Sequence, residues 1–265
     1  MIKMISIICV YNNKEILDEC LLNSLENQNE LYELILIDNS KIKFKSAAEA
    51  LNYGGEKAKG EYIMFVHQDV SLCSSTWLND AEKILKSLKD KAVAGIVGMS
   101  DKGVNNGERG KNTLIHGNPP EKWGWGNPIK RSEIVQTLDE CLIIIPMYIF
   151  EKFKFDEITC PKWDLYVVEY CLNIKSKGLK SYVMPLAVYH KSTGAISKNY
   201  FCTLNKVLKK HSYLKQIYTT CGNWNTKYPL FLQKYTFILI LQMFLNKLNA
   251  RKTRMVFKRK FKHES

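Results

Sequence analysis

The first 53 residues contain no glycine; the earliest is Gly54. That absence removes the G-x-G-x-x-G turn that lets a strand–helix unit approach a pyrophosphate, and with it a nicotinamide or flavin dinucleotide site. A phosphate-binding P-loop is missing too. The 8 cysteines form no C-x-x-C pair and no metal-knuckle spacing, which argues against a zinc ribbon or a disulfide scaffold. The opening MIKMISIICV has a short apolar run with no small-residue cleavage site after it. No secretory leader is expected, and the thiols read as reduced, in a cytoplasmic protein. Acidic residues almost vanish from one region: residues 198–265 hold a single acid, Glu264, against 15 Lys and Arg. Residues 1–197 are nearly neutral, so the net charge of +13 belongs to the C-terminal segment. An anionic partner is therefore expected for that segment alone.

What remains is a globular composition, 46% hydrophobic and 25% charged over 265 residues. This suits one large domain with an appendage. The first hundred residues alternate. Apolar, β-branched runs at 5–10, 31–38, 61–69 and 92–99 read as strands buried on both faces. Helical patterns fall at 14–27, at 47–60 with an interruption at Gly54-Gly55, and at 77–89. Strands alternating with helices imply an α/β fold with a mostly parallel central sheet and helices on both faces. Residues 102–131, rich in Gly, Asn and Pro, read as a long functional loop carrying Trp123 and Trp125. Regular structure resumes over 135–146. A helix is expected over 164–177, ending at Gly178, then a strand over 181–185. From Tyr200 onward the pattern is helical and basic.

In such a sheet, ligands sit beyond the carboxyl ends of the strands. The first strand ends in Tyr11-Asn12-Asn13, the second in Asp38-Asn39-Ser40 and the third in His67-Gln68-Asp69. One strand-end carboxylate suits a base or ribose and another a hard divalent cation. Either acid alone also suits a cap on the turn that follows.

The order of these features resembles family 2 glycosyltransferases of the GT-A, Rossmann-like fold. SIICVYNN, LILIDNS, AKGEY and FVHQDV followed by Trp77-Leu78 match the nucleotide-sugar half. FDEITCPKWDLYVVEYCLNIKSKGLKSYVMPLAVYHKSTG (155–194) is similar to the acceptor half. The resemblance implies a GT-A domain over 1–197, with a donor half at about 1–100 and an acceptor half at about 132–197. Residues 198–265 follow as a helical, basic extension. It further implies that Tyr11, Asn13, Asp38 and Ser40 bind the nucleotide, that Asp69 ends a DxD-like metal motif, and that His190 is a late metal or diphosphate ligand. His67 stands where the motif has its first acid. It is expected on the donor, as a neutral imidazole ligand of a softer ion or as a phosphate contact. The implied cofactor is divalent manganese or magnesium, and the implied donor a UDP-sugar.

An inverting transfer needs a carboxylate to take the acceptor's proton. The family's Glu-Asp pair falls here on Tyr166-Val167. The candidates are Asp164, which also suits a helix N-cap, and Glu169; a separation of five residues turns them about 140° apart on a helix. Asp139-Glu140 and Asp156-Glu157 read as turn or surface acids. Trp123, Trp125 and Trp163 are candidates for stacking on sugar faces or forming a lid, with ordinary packing as the competing role. His116 and His211 carry no usable signal. In the C-terminal segment, YPLFLQKYTFILILQMFL (228–245) is borderline in length and apolarity for a spanning helix. KLNARKTRMVFKRKFKH (247–263) mixes basic and apolar residues and suits an anionic membrane surface. The expected role is sugar transfer onto a glycan or lipid-linked glycan during surface polysaccharide assembly, by a peripheral protein on the inner face of the membrane. No nucleic-acid partner is expected. A non-catalytic nucleotide- or glycan-binding scaffold is the main competitor. A nucleotidyltransferase ranks last, because YNNKE lacks the Gly-rich, basic loop such enzymes need.

Overall fold

A computed structural model describes residues 2–117, 124, 126–192, 196 and 198–233. Its centre is a seven-stranded sheet. Strand β1 (Ile2–Tyr11) lies between β2 (Tyr32–Asp38) and β3 (Gly60–Val66), parallel to both. Beyond β3 come Leu142–Pro146, Lys91–Gly95, Lys180–Val183 and Glu133–Val135 in that spatial order. Leu142–Pro146 runs antiparallel to both of its neighbours, and Glu133–Val135 antiparallel to Lys180–Val183. The other five strands share one direction, so the sheet is mostly parallel, as the alternation implied.

The continuous apolar run in β1 has a simple cause. Both faces of the strand are covered. Ile7 and Cys9 enter one core with Leu17, Leu21, Trp77 and Leu85. Ile8 enters the other with Ala48, Phe150, Tyr170 and Leu204. Alternate residues of a strand face opposite sides, so a strand between two helical layers must be apolar at nearly every position.

The helix expected over 47–60 spans Ala47–Gly55 and ends at the Gly54-Gly55 pair. A Cβ on Gly54 would lie 2.7 Å from Cγ2 of Ile8, and one on Gly55 2.2 Å from Cζ of Phe150. The glycines let the helix sit directly on the sheet and on the aromatic ring beside it.

Three expectations need correction. The strand expected over 92–99 is two strands: Lys91–Gly95 stays in the central sheet, while Val97–Met99 joins a second, four-stranded sheet. Residues 102–131 are not structureless where described. They contribute Gly110–Asn112 and Asn127–Pro128 to that second sheet, and Leu114–His116 to a three-stranded one. Their many Asn residues act as local stops: Asn105 Oδ1 accepts from the Glu108 amide at 3.0 Å, and Asn112 Oδ1 from the Leu114 amide at 2.7 Å. Such short, punctuated strands leave no readable period. Finally, the boundary at 197 is not a boundary of packing. The helix Lys198–Lys210 and the hairpin Gln216–Thr219/Gly222–Asn225 bury Tyr200, Leu204, Val207, Ile217 and Trp224 in the same core as the sheet. The apolar and basic stretch from 234 onward lies outside the described residues, as do Trp123 and Trp125. Among the described residues no helix is long and apolar enough to cross a membrane.

Candidate active site

The parallel strands β1, β2 and β3 end together, and a cavity of about 410 Å³ opens at that edge. Tyr11, Asn12, His67, Gln68 and Asp69 line it from the strand ends, and Glu140, Trp163 and Tyr166 from across the opening. Gln68 ties the two strand ends together. Its Oε1 accepts from the amides of Asn12 and Asn13, both at 3.0 Å, and its Nε2 donates to Asn12 Oδ1 at 3.0 Å. Asn13 caps the helix that follows β1, its Oδ1 accepting from the Ile16 amide at 3.2 Å.

Asp38 is also a cap. It accepts from the Ser40 amide at 3.0 Å and from the Ser40 hydroxyl at 2.5 Å, and pairs with Lys41 at 3.1 Å. The Ser40 hydroxyl, assisted by Lys41, holds this carboxyl below the usual range. The neighbouring Asn39, rather than Asp38 or Ser40, lines the cavity.

At the rim, His67, Asp69 and His190 bring one ligand atom each to within 4.8 Å of one another. Sheet register produces this. The strand Val70–Leu72 pairs antiparallel with Val188–His190, opposing His190 to Val70. His190 Nε2 thereby reaches Asp69 Oδ1 at 3.2 Å. His67 is fixed by its amide to the Cys141 carbonyl (2.9 Å) and through Nε2 to the Tyr166 hydroxyl (3.0 Å). Burial, followed by repulsion from His190, keeps His67 below the usual imidazole range, in the neutral form that ligates metals. Burial pushes Asp69 up, but the hydrogen bond and charge from His190 outweigh it and keep the carboxyl low. Nδ1 of His190 is buried with no hydrogen-bond partner among the described residues. His116 stands opposite His190 on the adjacent strand, ring centroids 5.6 Å apart.

The acceptor side departs further from expectation. The helix there is Tyr166–Lys175, and its N-cap is Leu165 in the left-handed region (φ 64°), not Asp164. Asp164 is partly buried outside the cavity lining. Glu169 is fully buried and does not line the cavity. It pairs with Lys210 and lies 3.5 Å from His211, while Lys210 also binds Asp156 at 2.7 Å. It ties the helix Lys198–Lys210 to the body instead of facing the cavity, unlike its expected place among the catalytic candidates. Trp163 is 42% exposed on the cavity wall.

Glu140, read from sequence as a turn acid, is the carboxylate that lines the cavity on this side. Its Oε1 is buried and has no hydrogen-bond partner among the described residues. Burial, then the charges of Asp139 and Asp164, raise its pKa well above the carboxylate range, against the pull of the Leu165 and Tyr166 amides. The available signal was positional. Leu142–Pro146 runs antiparallel to β3 with Leu142 opposite Val66, so the residues just before it lie at the edge where β3 ends.

A family model described as "Glycosyltransferase like family" matches residues 6–235. The chain belongs to that family. No curated protein matches its sequence significantly. Among solved structures, this glycosyltransferase-like chain is similar to S. aureus TarS 1–349, with 15% identity and a TM-score of 0.51, covering 77% of this chain and 64% of that one. It is also similar to the same TarS fragment in complex with UDP-GlcNAc, with 14% identity and a TM-score of 0.52, over 78% of this chain and 66% of that one. GalNAc-T7 with UDP, GalNAc and Mn2+ aligns with 16% identity and a TM-score of 0.56, over 78% and 48%. The chain thus spans less than two thirds of each of these structures' lengths. The shared architecture is the GT-A fold.

Proposed function

We propose that this chain transfers a sugar from a nucleotide diphosphate donor, a UDP-sugar, to a hydroxyl of a glycan or lipid-linked glycan, with inversion at the sugar carbon. The observation that carries the reading is the His67–Asp69–His190 cluster at the mouth of the strand-end cavity. The UDP and UDP-GlcNAc complexes of TarS, and GalNAc-T7 with UDP and Mn2+, support the donor class. Two imidazoles and one carboxylate, with a buried ring nitrogen left over on His190, fit a divalent ion, and suit manganese better than magnesium, which prefers oxygen ligands. Such an ion supplies a Lewis acid for the departing diphosphate.

The protein's own part is positioning. Tyr11 and Asn12 offer an aromatic face and an amide at the end of β1, where a nucleoside would lie. Gln68 locks that loop to the metal strand. Tyr166 holds the His67 ring in place, and Trp163 presents an exposed face on which a sugar can pack. UDP release from a panel of UDP-sugars tests the reading. Release that requires manganese and stops with EDTA is expected; nucleotide binding with no release for any donor would favour a binding scaffold instead.

The basic stretch from 247 to 263 supports attachment to an anionic membrane, each charge near the surface contributing about 1 kcal/mol. A chain ending after Gln233 keeps the described core and is expected to lose flotation with anionic vesicles. Flotation unchanged by the cut, or absent in the full chain, refutes the attachment.

A further inference from the structure

The family's usual acceptor-side acid has no counterpart at its expected place. Position 167 is a valine buried in the core, and Tyr166 before it is occupied by its contact with His67. Of the two acids read as its replacement, Glu169 is sealed into the Lys210 cluster and Asp164 lies outside the cavity lining. Among the described residues one acid besides Asp69 lines the cavity, and it comes from a different element.

We infer that Glu140 is the general base of the transfer, an inference that rests on the glycosyltransferase reading above. Three observations meet on this residue. It lines the same cavity as Asp69 and His67. Its Oε1 is buried and makes no hydrogen bond among the described residues, a costly arrangement unless a ligand hydroxyl completes it. The strand register puts it at the reacting edge: Leu142 opposes Val66, so Glu140 lies where β3 ends, beside His67. That placement leaves a buried carboxyl oxygen for substrate. Tyr166 links the two halves of the site, its hydroxyl touching His67 Nε2 at 3.0 Å and the Glu140 carbonyl at 3.4 Å.

The step balances simply. Glu140 takes the proton of the acceptor hydroxyl. The acceptor oxygen forms its bond to the sugar's anomeric carbon as the bond from that carbon to the diphosphate oxygen breaks. The electron pair leaves with the diphosphate, and Glu140 later returns the proton to water. With water as acceptor the same step is donor hydrolysis, which makes it measurable without knowing the natural acceptor.

Glu140→Gln keeps the size and shape of the side chain but removes the base. In the full chain with manganese and UDP-sugars, UDP release by hydrolysis should fall about a hundred-fold or more, the lower end of what general bases contribute. The dissociation constant of UDP with manganese and the melting temperature should stay near wild type. Release within threefold of wild type, a larger loss in Asp164→Asn, or a parallel loss of UDP binding and stability would each overturn the assignment. A wild-type chain that binds UDP but hydrolyses no donor would also overturn it, leaving the donor site standing. A chain that binds no nucleotide would overturn the donor reading itself.

Discussion

Asp69→Asn is expected to lower UDP release by about a thousand-fold while leaving the fold intact. Metal stabilisation of a leaving diphosphate amounts to several kcal/mol, and each 1.36 kcal/mol is tenfold in rate. The asparagine keeps the shape of the side chain but drops the only negative charge in the cluster with His67 and His190. Its environment shows why the charge matters. The hydrogen bond and charge from His190 hold the Asp69 carboxyl low despite its burial. The backbone around it is fixed independently, by the Lys191 amide to the Asp69 carbonyl at 2.9 Å and by the pairing of Val70–Leu72 with Val188–His190. Circular dichroism and the melting temperature should therefore change little. Steady-state UDP release and manganese affinity should both collapse. Release within tenfold of wild type would place the reacting centre elsewhere.

Trp224→Ala is expected to cost about 3–5 kcal/mol of stability, the range for deleting a buried aromatic side chain. A chain of this size then loses roughly 10 °C in melting temperature. Trp224 is fully buried in the hairpin after the helix Lys198–Lys210. Its Nε1 donates to Thr219 Oγ1 at 3.2 Å, and its ring meets Tyr200 and Phe201 at centroid distances of 6.3 and 6.4 Å. Gly222, at φ 152°, lets the hairpin turn close against that ring: a Cβ there would stand 3.0 Å from Cζ2. Calorimetry checks the prediction. A shift under about 2 °C would mean that this segment is an appendage and does not share the core.

The inner strands of the central sheet were legible because they are covered on both faces, whereas β2 at the edge leaves Leu34 and Leu36 exposed. Nothing in that setting competes with an apolar, β-branched run, and the residues after such runs fall at one edge by topology. Tyr11, His67 and Asp69 could be located in this way. Asp38 illustrates the limit. Strand-end acids suit both ligand binding and capping, and the Ser40 and Lys41 contacts that occupy this one depend on the local turn. Glu140 was hidden for a different reason. Its place at the cavity comes from an antiparallel strand inserted between parallel ones, and sequence periodicity carries no information about strand direction. Glu169 misled because an acid one turn into an acceptor-side helix matches the family's spacing. Its partners Lys210 and His211 lie some forty residues later, in a segment whose basic composition concealed its apolar face.

The most direct test of the central claim is a calorimetric titration of UDP into the purified chain, with manganese and with EDTA, beside the His190→Ala variant. The account predicts UDP binding that manganese strengthens at least tenfold and that His190→Ala returns to the EDTA value. UDP binding of equal strength with and without the ion, or unaffected by the loss of His190, would contradict a metal-assisted donor site at this edge of the sheet.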